Sequence, residues 1–92
     1  MVTAICFLQV DVDKINEAGT AISNLAGVSA VYSVTGSIDL IAIVEVRDHD
    51  AIAKVVTDGI AKVPGVTSTE THIAFRSYRN GDIEAAFAIG LD

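Results

Sequence analysis

The stretch SVTGSIDLIAIVEV, Ser33–Val46, decides how this chain folds, because it leads from a glycine into a segment that is apolar on successive residues. Gly36 with Ser37 predicts a tight turn, and the β-branched aliphatic run Ile38–Val46 predicts a strand. A single acid, Asp39, lies near the start of that strand. Since an unpaired buried carboxylate is costly, Asp39 needs either backbone N–H groups of its own turn or a ligand.

Outward from this stretch, hydrophobic periodicity and turn residues divide the rest of the chain into alternating strands and helices. Asp11 or Asp13 is the predicted N-cap of the first helix, and Asp48 is that of the second. Pro64 and Gly65 are expected to end the second helix. The predicted elements are strand Val2–Val10, helix Asp11–Gly27, strand Val28–Thr35, strand Ile38–Val46, helix Asp48–Val63 and strand Val66–Arg79.

This order, βαββαβ, is typical of an α+β, ferredoxin-like sandwich with a four-stranded antiparallel sheet and two helices on one face. The segments NLAGVSAVYSVTG and KVPGVTSTETHIA repeat the same sequence of helix end, glycine, valine and strand, as two similar halves would. Ninety-two residues predict one domain. Its expected core is 2–78, and the tail 79–92 is expected to hold a short helix beginning at Asp82.

The first and third strands are apolar on both faces, which a single protomer does not explain. Ala4, Cys6 and Leu8 alternate with Ile5 and Phe7 in the first strand. Two helices cover only one face of a sheet, so the second apolar face requires another partner. A second copy of the sheet is the simplest one, which predicts a homodimer formed sheet to sheet as a dimeric α/β barrel.

Composition excludes several classes of function. Twelve acidic residues against six basic ones give a net charge of −6, and no Lys/Arg cluster is present, so direct nucleic-acid binding is not expected. No apolar run reaches the roughly 20 residues of a membrane span, and no signal peptide is recognisable, so a cytoplasmic protein without membrane contact is predicted. Metal-ligand spacing, phosphate loops and nucleophile elbows are absent from the sequence, so we expect no metal, cofactor or catalytic residue.

The segments VYSVTGSIDLIAIVEV and VPGVTSTETHIAF make the chain resemble the effector (RAM) domain of the Lrp/AsnC family, the feast/famine transcriptional regulators, from about Val2 to Arg76. The resemblance implies a ferredoxin-like fold, sheet-to-sheet dimers and further assembly into an octamer or similar ring. It also implies amino-acid effectors that bind between dimers. Family members usually carry an N-terminal helix-turn-helix, whereas this sequence starts at the first strand. We therefore expect a stand-alone effector domain, with a full-length relative as a candidate partner.

The resemblance also implies which residues would bind the effector. Its Gly-x-x-Asp turn matches Gly36 and Asp39, so Asp39 would meet an α-ammonium group while N–H groups of the turn accept an α-carboxylate. Positions of the last strand that respond to effectors in the family match Thr71 and His72. The ligand-binding residues implied in this way are Thr35, Gly36, Ser37, Asp39, Thr69, Thr71 and His72.

Several alternatives remain at the level of the sequence. A scaffold could modulate full-length regulators by mixed assembly without any effector. A small dimeric α/β-barrel enzyme would require a polar cavity, whereas the strand faces are aliphatic. An ACT-like module would require a glycine-containing loop after the first strand, and QVDVDKIN has none. A non-catalytic amino-acid sensor is therefore the leading hypothesis.

Overall fold

Strands and helices alternate along the chain in the computed structural model, which describes residues 1–78. The two regular helices are α1 (Ile15–Ser23) and α2 (His49–Ala53). The strands are β1 (Val2–Val10), β2 (Val28–Ser33), β3 (Leu40–Val46) and β4 (Val66–Ile73). The predicted helix from Asp82 lies outside the described residues.

All four strands form one antiparallel sheet in the order β2-β3-β1-β4. This is the strand order of a split βαβ unit, and it confirms the predicted ferredoxin-like α+β fold. The central pair β1 and β3 is in register from Val2 opposite Val46 to Leu8 opposite Leu40. One extra residue interrupts the register of β4 near Gln9 and Val10, and another interrupts that of β2 near Val28 and Ala30.

Both helices pack on the same face of the sheet, as the sequence predicts. The core lies between them and the sheet and is entirely aliphatic or thiol. Burying such side chains contributes about 25 cal/mol per Å² of apolar surface removed from water. The fully or nearly fully buried residues are Ala4, Cys6, Leu8, Val10, Ala18, Ile22, Leu40, Ala42, Val44, Ile52 and Ile60.

No element within residues 1–78 packs on the opposite face of the sheet, which we call the open face. Because side chains alternate along a strand, the partners in register assign each residue to one face. The open face comprises Thr3, Ile5, Phe7 and Gln9 of β1, Ala30 and Tyr32 of β2, Ile41, Ile43 and Glu45 of β3, and Ser68, Glu70 and His72 of β4.

The connection between β2 and β3 is longer than the predicted two-residue turn. The strands end at Ser33 and resume at Leu40, and the N–H of Val34 donates to the carbonyl of Asp39 at 3.1 Å. Gly36 has a φ of 106°, a conformation that favours glycine. The tight-turn prediction is therefore wrong in length, although it located the turn and its glycine correctly.

The helix boundaries confirm one predicted cap and contradict the other. The carboxylate of Asp48 accepts a hydrogen bond from the N–H of Ala51 at 2.9 Å, as an N-cap should. Asp11 instead precedes a 3₁₀ turn, Val12–Lys14, and its side chain makes no capping bond. Lys14 occupies the N-cap position of α1, so the predicted Asp11 or Asp13 cap is wrong. Because the 3₁₀ turn occupies Val12–Lys14, α1 begins only after both aspartates.

Beyond α2 the chain continues as a helix of altered pitch. A π-helical segment, Lys54–Gly59, leads into a 3₁₀ turn, Ile60–Lys62. The β-branched residues Val55, Val56 and Thr57 lie within this segment and are weak α-helix formers. The predicted second helix thus covers the right residues, and despite the altered pitch two of its residues, Ile52 and Ile60, are buried in the core.

Candidate functional site

The Asp39 carboxylate has a backbone partner on a neighbouring strand. Its Oδ2 accepts a hydrogen bond of 2.8 Å from the N–H of Val10, 29 residues away. The N–H of Asp39 donates in turn to the carbonyl of Leu8 at 3.0 Å. Asp39 therefore prolongs the pairing of β1 with β3 past Leu40. The amide that it satisfies belongs to β1, whereas the structural interpretation of the sequence assigned it to the turn itself.

Further hydrogen bonds link the same end of the sheet from the β2–β3 connection across β1 to β4. The Gln9 side-chain amide donates to the carbonyl of Ser37 at 3.2 Å. The Thr67 hydroxyl donates to the carbonyl of Gln9, also at 3.2 Å. We call this region, comprising Ser37, Asp39, Gln9, Val10 and Thr67, the Asp39 end. Its hydrogen bonds hold the Asp39 carboxylate in one place relative to the β2–β3 turn.

The turn beside Asp39 is open to solvent. Thr35, Gly36 and Ser37 are exposed, whereas Asp39 is half-buried. A Cβ built on Gly36 would have no heavy atom within 4 Å. The backbone of this turn is therefore accessible to a small molecule, and the Asp39 carboxylate, a few residues along the chain, is held by Val10.

The predicted residues of β4 divide between the two faces of the sheet. Thr69 lies opposite Leu8, which also pairs with Leu40, so Thr69 is close to the Asp39 end. Thr71 lies opposite Cys6, nearer the middle of the sheet, and its hydroxyl donates to the Cys6 sulfur at 3.6 Å. Burial raises the pKa of the Cys6 thiol, and this hydrogen bond opposes the shift.

His72 lies on the open face, away from the turn. Its Nε2 is 2.6 Å from a carboxylate oxygen of Glu70, and its ring meets that of Phe7 edge-on at 5.2 Å. Both members of the His72–Glu70 pair are largely exposed, at 56% and 70% of their side-chain surface. Within one protomer, therefore, the geometry brings Thr35, Gly36, Ser37, Asp39 and Thr69 toward one end, and does not bring Thr71 and His72 there.

Sequence reasoning missed the residues that hold Asp39. Gln9 carried a weak signal, since it and Thr3 are the two polar residues of a strand that is apolar elsewhere. Val10 carried none, because its contribution is a backbone N–H whose partner depends on strand register. Thr67 donates to the carbonyl of Gln9 at the point where the pairing of β4 with β1 is irregular, and the sequence does not show where that irregularity falls.

Two surface grooves lie outside the Asp39 end itself, and the first of them borders it through Leu40, the residue after Asp39. A groove of about 280 Å³ runs between α1 and β2. Another, of about 600 Å³, is lined by Arg47, Asp48 and Lys54 among others. Within residues 1–78, no three His, Cys, Asp or Glu side chains are grouped to hold a metal ion. No helix of the described chain is long and apolar enough to cross a membrane.

Comparison with known proteins identifies a family. The family model described as the Lrp/AsnC ligand binding domain matches residues 3–83. An uncharacterized HTH-type transcriptional regulator of Pyrococcus horikoshii is 34% identical over 71 residues, which cover 77% of this chain. The match spans 47% of that regulator, so the chain corresponds to about half the length of this curated relative.

Solved structures share the fold. A crystal structure of a Thermus thermophilus protein superimposes with a TM-score of 0.81 at 41% identity, covering 87% of this chain and 100% of that one. A transcriptional regulator of Neisseria meningitidis, solved as a complex with L-Met, has a TM-score of 0.77 at 15% identity, covering 86% of this chain and 53% of the regulator. At 15% identity, the similarity to the Neisseria regulator shows only that the two proteins share a fold.

Proposed function

The chain belongs to the Lrp/AsnC ligand-binding domain family, which is related to transcriptional regulators, and on that premise we propose that it binds an amino-acid effector without catalysing a reaction. The proposed site is the Asp39 end together with the exposed turn Thr35–Ser37 and Thr69. The observation that carries this proposal is the hydrogen bond from Val10 to Asp39, which holds a carboxylate three residues along the chain from an exposed glycine.

The chemistry of a carboxylate supports a double role for Asp39. An ionised carboxylate has about four lone-pair positions, and the bond from Val10 uses one of them. The remaining positions suit an α-ammonium group, which donates up to three hydrogen bonds. Exposed N–H groups of the Gly36 turn suit the α-carboxylate of the same ligand. The L-Met complex of the Neisseria regulator, a protein of the same fold, also supports an amino acid as the ligand class.

The open face supports an oligomeric form of this sensor. Four large apolar side chains lie together on that face, and no element of the described chain, residues 1–78, packs on them; they are Ile5, Phe7, Ile41 and Ile43. We propose that a second copy covers them, giving a homodimer, and that dimers assemble further into an octamer or similar ring. Sites at the Asp39 end would then lie at contacts between copies, where Thr71 and His72 of another copy are candidates to contribute. In this proposal residues 2–78 form the core of a single domain and 79–92 a tail.

The test compares the melting temperature of the wild type with that of Asp39→Asn, with and without each of the twenty amino acids. Asparagine retains an oxygen that accepts from Val10, so we expect the ligand-free variant to melt close to the wild type. It loses the charge that meets the ammonium group. Since a hydrogen bond to a charged group is worth about 1.5–3 kcal/mol, affinity should fall on the order of ten- to a hundredfold.

Asp39→Ala is the matched control for the structural role. It removes the acceptor of Val10 and should lower the free energy of unfolding by about 1–3 kcal/mol, with or without ligand. A wild type at a ligand concentration a hundred times its dissociation constant should gain about 2.7 kcal/mol. A ligand shift that survives Asp39→Asn would remove Asp39 from the binding site.

A scaffold is the second candidate, and the same hydrogen bond favours it, because the contact with Val10 gives Asp39 a task that needs no ligand. In that case the protein would modulate full-length Lrp/AsnC relatives by mixed assembly. No melting shift with any amino acid, together with co-purification of a full-length relative, would support the scaffold over the sensor.

A further inference from the structure

The segment that follows β4, Ala74–Tyr78, carries two large aromatic side chains into solvent, and we call it the arm. The N–H of Ala74 donates to the carbonyl of Thr3 at 2.9 Å and so continues the pairing of β4 with β1 for one more residue. After this point Phe75 is 100% exposed and Tyr78 is 87% exposed. Aromatic side chains bury about 150–250 Å² each when they are covered, so two neighbouring uncovered rings indicate a contact surface.

The charge of the arm is opposite to that of the open face. Arg76 lies between the two aromatic residues and is exposed. The acids of the open face are Glu45 and Glu70, and no lysine or arginine belongs to it among the described residues. An arm with two aromatic rings and a cation thus matches a face that is aliphatic at its centre and acidic at Glu45 and Glu70.

The arm does not cover the open face of its own protomer. Phe75 and Tyr78 remain exposed there, and Glu70 is paired with His72 at 2.6 Å. The final ladder bond, from Ala74 to Thr3, places the start of the arm at the edge of the same sheet, whose open face is not covered by any other described segment. A second copy that meets this face therefore lies within reach of the arm.

We infer that the arm of each protomer packs on the open face of a second copy, with Phe75 and Tyr78 against its aliphatic side chains and Arg76 beside Glu45 or Glu70. This inference rests on the proposed face-to-face homodimer and adds to it an exchanged segment. The two-fold symmetry of such a dimer places both arms in equivalent contacts. Arginine and aromatic residues are the residue types that contribute most to binding at protein interfaces.

The experiment measures the dissociation constant of the dimer by analytical ultracentrifugation of the full chain. Phe75→Ser combined with Tyr78→Ser should raise it by at least about tenfold, since each truncated anchor at an interface typically costs that much or more. The circular dichroism spectrum should not change, because both side chains are exposed in the protomer. Val12→Ser is the matched control, since Val12 is 87% exposed and lies outside the arm and the open face.

Charge reversal tests the orientation of the arm. Arg76→Glu should also raise the dissociation constant about tenfold, and adding Glu45→Arg or Glu70→Arg should restore it. Arm variants that dimerise like the wild type would overturn the inference and leave the face-to-face dimer standing. Loss of dimer in Arg76→Glu without rescue by either reversal would overturn the assigned contact. A wild type that is monomeric at micromolar concentration would overturn both the arm contact and the dimer, but not effector binding at Asp39.

Discussion

At the scale of single residues, Asp39 illustrates how one side chain can satisfy a structural and a chemical requirement together. Its bond to Val10 closes the β1–β3 ladder beyond the last paired residue, Leu40. That bond also restricts the carboxylate to one orientation, and restricting a group before binding reduces the entropy that the ligand complex must overcome. The proposed site is therefore pre-organised by the fold rather than by the ligand.

Two glycines with positive φ permit a direct comparison of backbone strain with steric clash. Gly36 has a φ of 106° and open space around its Cβ position, whereas Gly65 has a φ of 99° and a Cβ position 2.6 Å from Cβ of Lys14. We expect Gly36→Ala to lower the free energy of unfolding by about 1–2 kcal/mol, from strain alone. Gly65→Ala should lose about 1–3 kcal/mol more, because Lys14 is obstructed as well.

Urea denaturation followed by circular dichroism measures both losses. Both variants replace a glycine of positive φ by alanine and differ in the space around the new Cβ, so each serves as the control of the other. Equal losses would mean that the contact with Lys14 relaxes at no cost.

At the scale of elements, local capping and tertiary packing determine different parts of the second helical segment. Its start is determined locally, by Asp48 accepting from Ala51. Its continuation, as a π-helical segment and a 3₁₀ turn, keeps Ile52 and Ile60 in the core over a stretch of weak helix formers. Burial of Ile52 and Ile60 stabilises this irregular helix, which an isolated peptide would not adopt.

The cap supplies a prediction for this element. Asp48→Ala should lower the free energy of unfolding by about 1 kcal/mol, because the N–H of Ala51 loses its acceptor. Asp50→Ala is the control, since it removes an acid of the first turn that has only a dipole interaction and should cost about half as much or less. Thermal denaturation of both variants gives the comparison. A larger loss in Asp50→Ala would contradict the assignment of Asp48 as the cap.

At the scale of the whole molecule, the two faces of the sheet differ in how they are packed. Its helix side forms a closed aliphatic core, and its open face presents Ile5, Phe7, Ile41 and Ile43. Apolar surface of this kind marks an interaction site in a folded protein. Covering it with a second copy places two identical sheets face to face, which is the basis of the proposed homodimer.

Ile43→Glu tests this arrangement, since Ile43 lies on the open face opposite Ile5. Burying an unpaired carboxylate at the interface should raise the dissociation constant of the dimer by at least about a hundredfold. Val12→Glu introduces the same charge at an exposed position outside the face and should leave the constant unchanged. Light scattering over a concentration series distinguishes the outcomes. An Ile43→Glu variant that remains dimeric would exclude the open face as the interface.

The sequence by itself determined the features that depend on neighbouring residues. The apolar strand Val2–Val10, the cap at Asp48 and the glycine of the β2–β3 turn are local patterns, and the structure has each of them where the pattern predicted. Family membership followed from motifs of the same kind, and the match over residues 3–83 confirms it.

Only the tertiary structure decided which groups meet. Val10 is the partner of Asp39 because strand order places β1 beside β3, and no local pattern encodes a contact across 29 residues. The register of β4 against β1 likewise places Thr69 opposite Leu8, near the Asp39 end, and Thr71 opposite Cys6, nearer the middle of the sheet. The 3₁₀ turn Val12–Lys14 similarly displaced the expected caps of α1. Sequence periodicity specifies the elements, whereas contacts between elements depend on how distant segments pack.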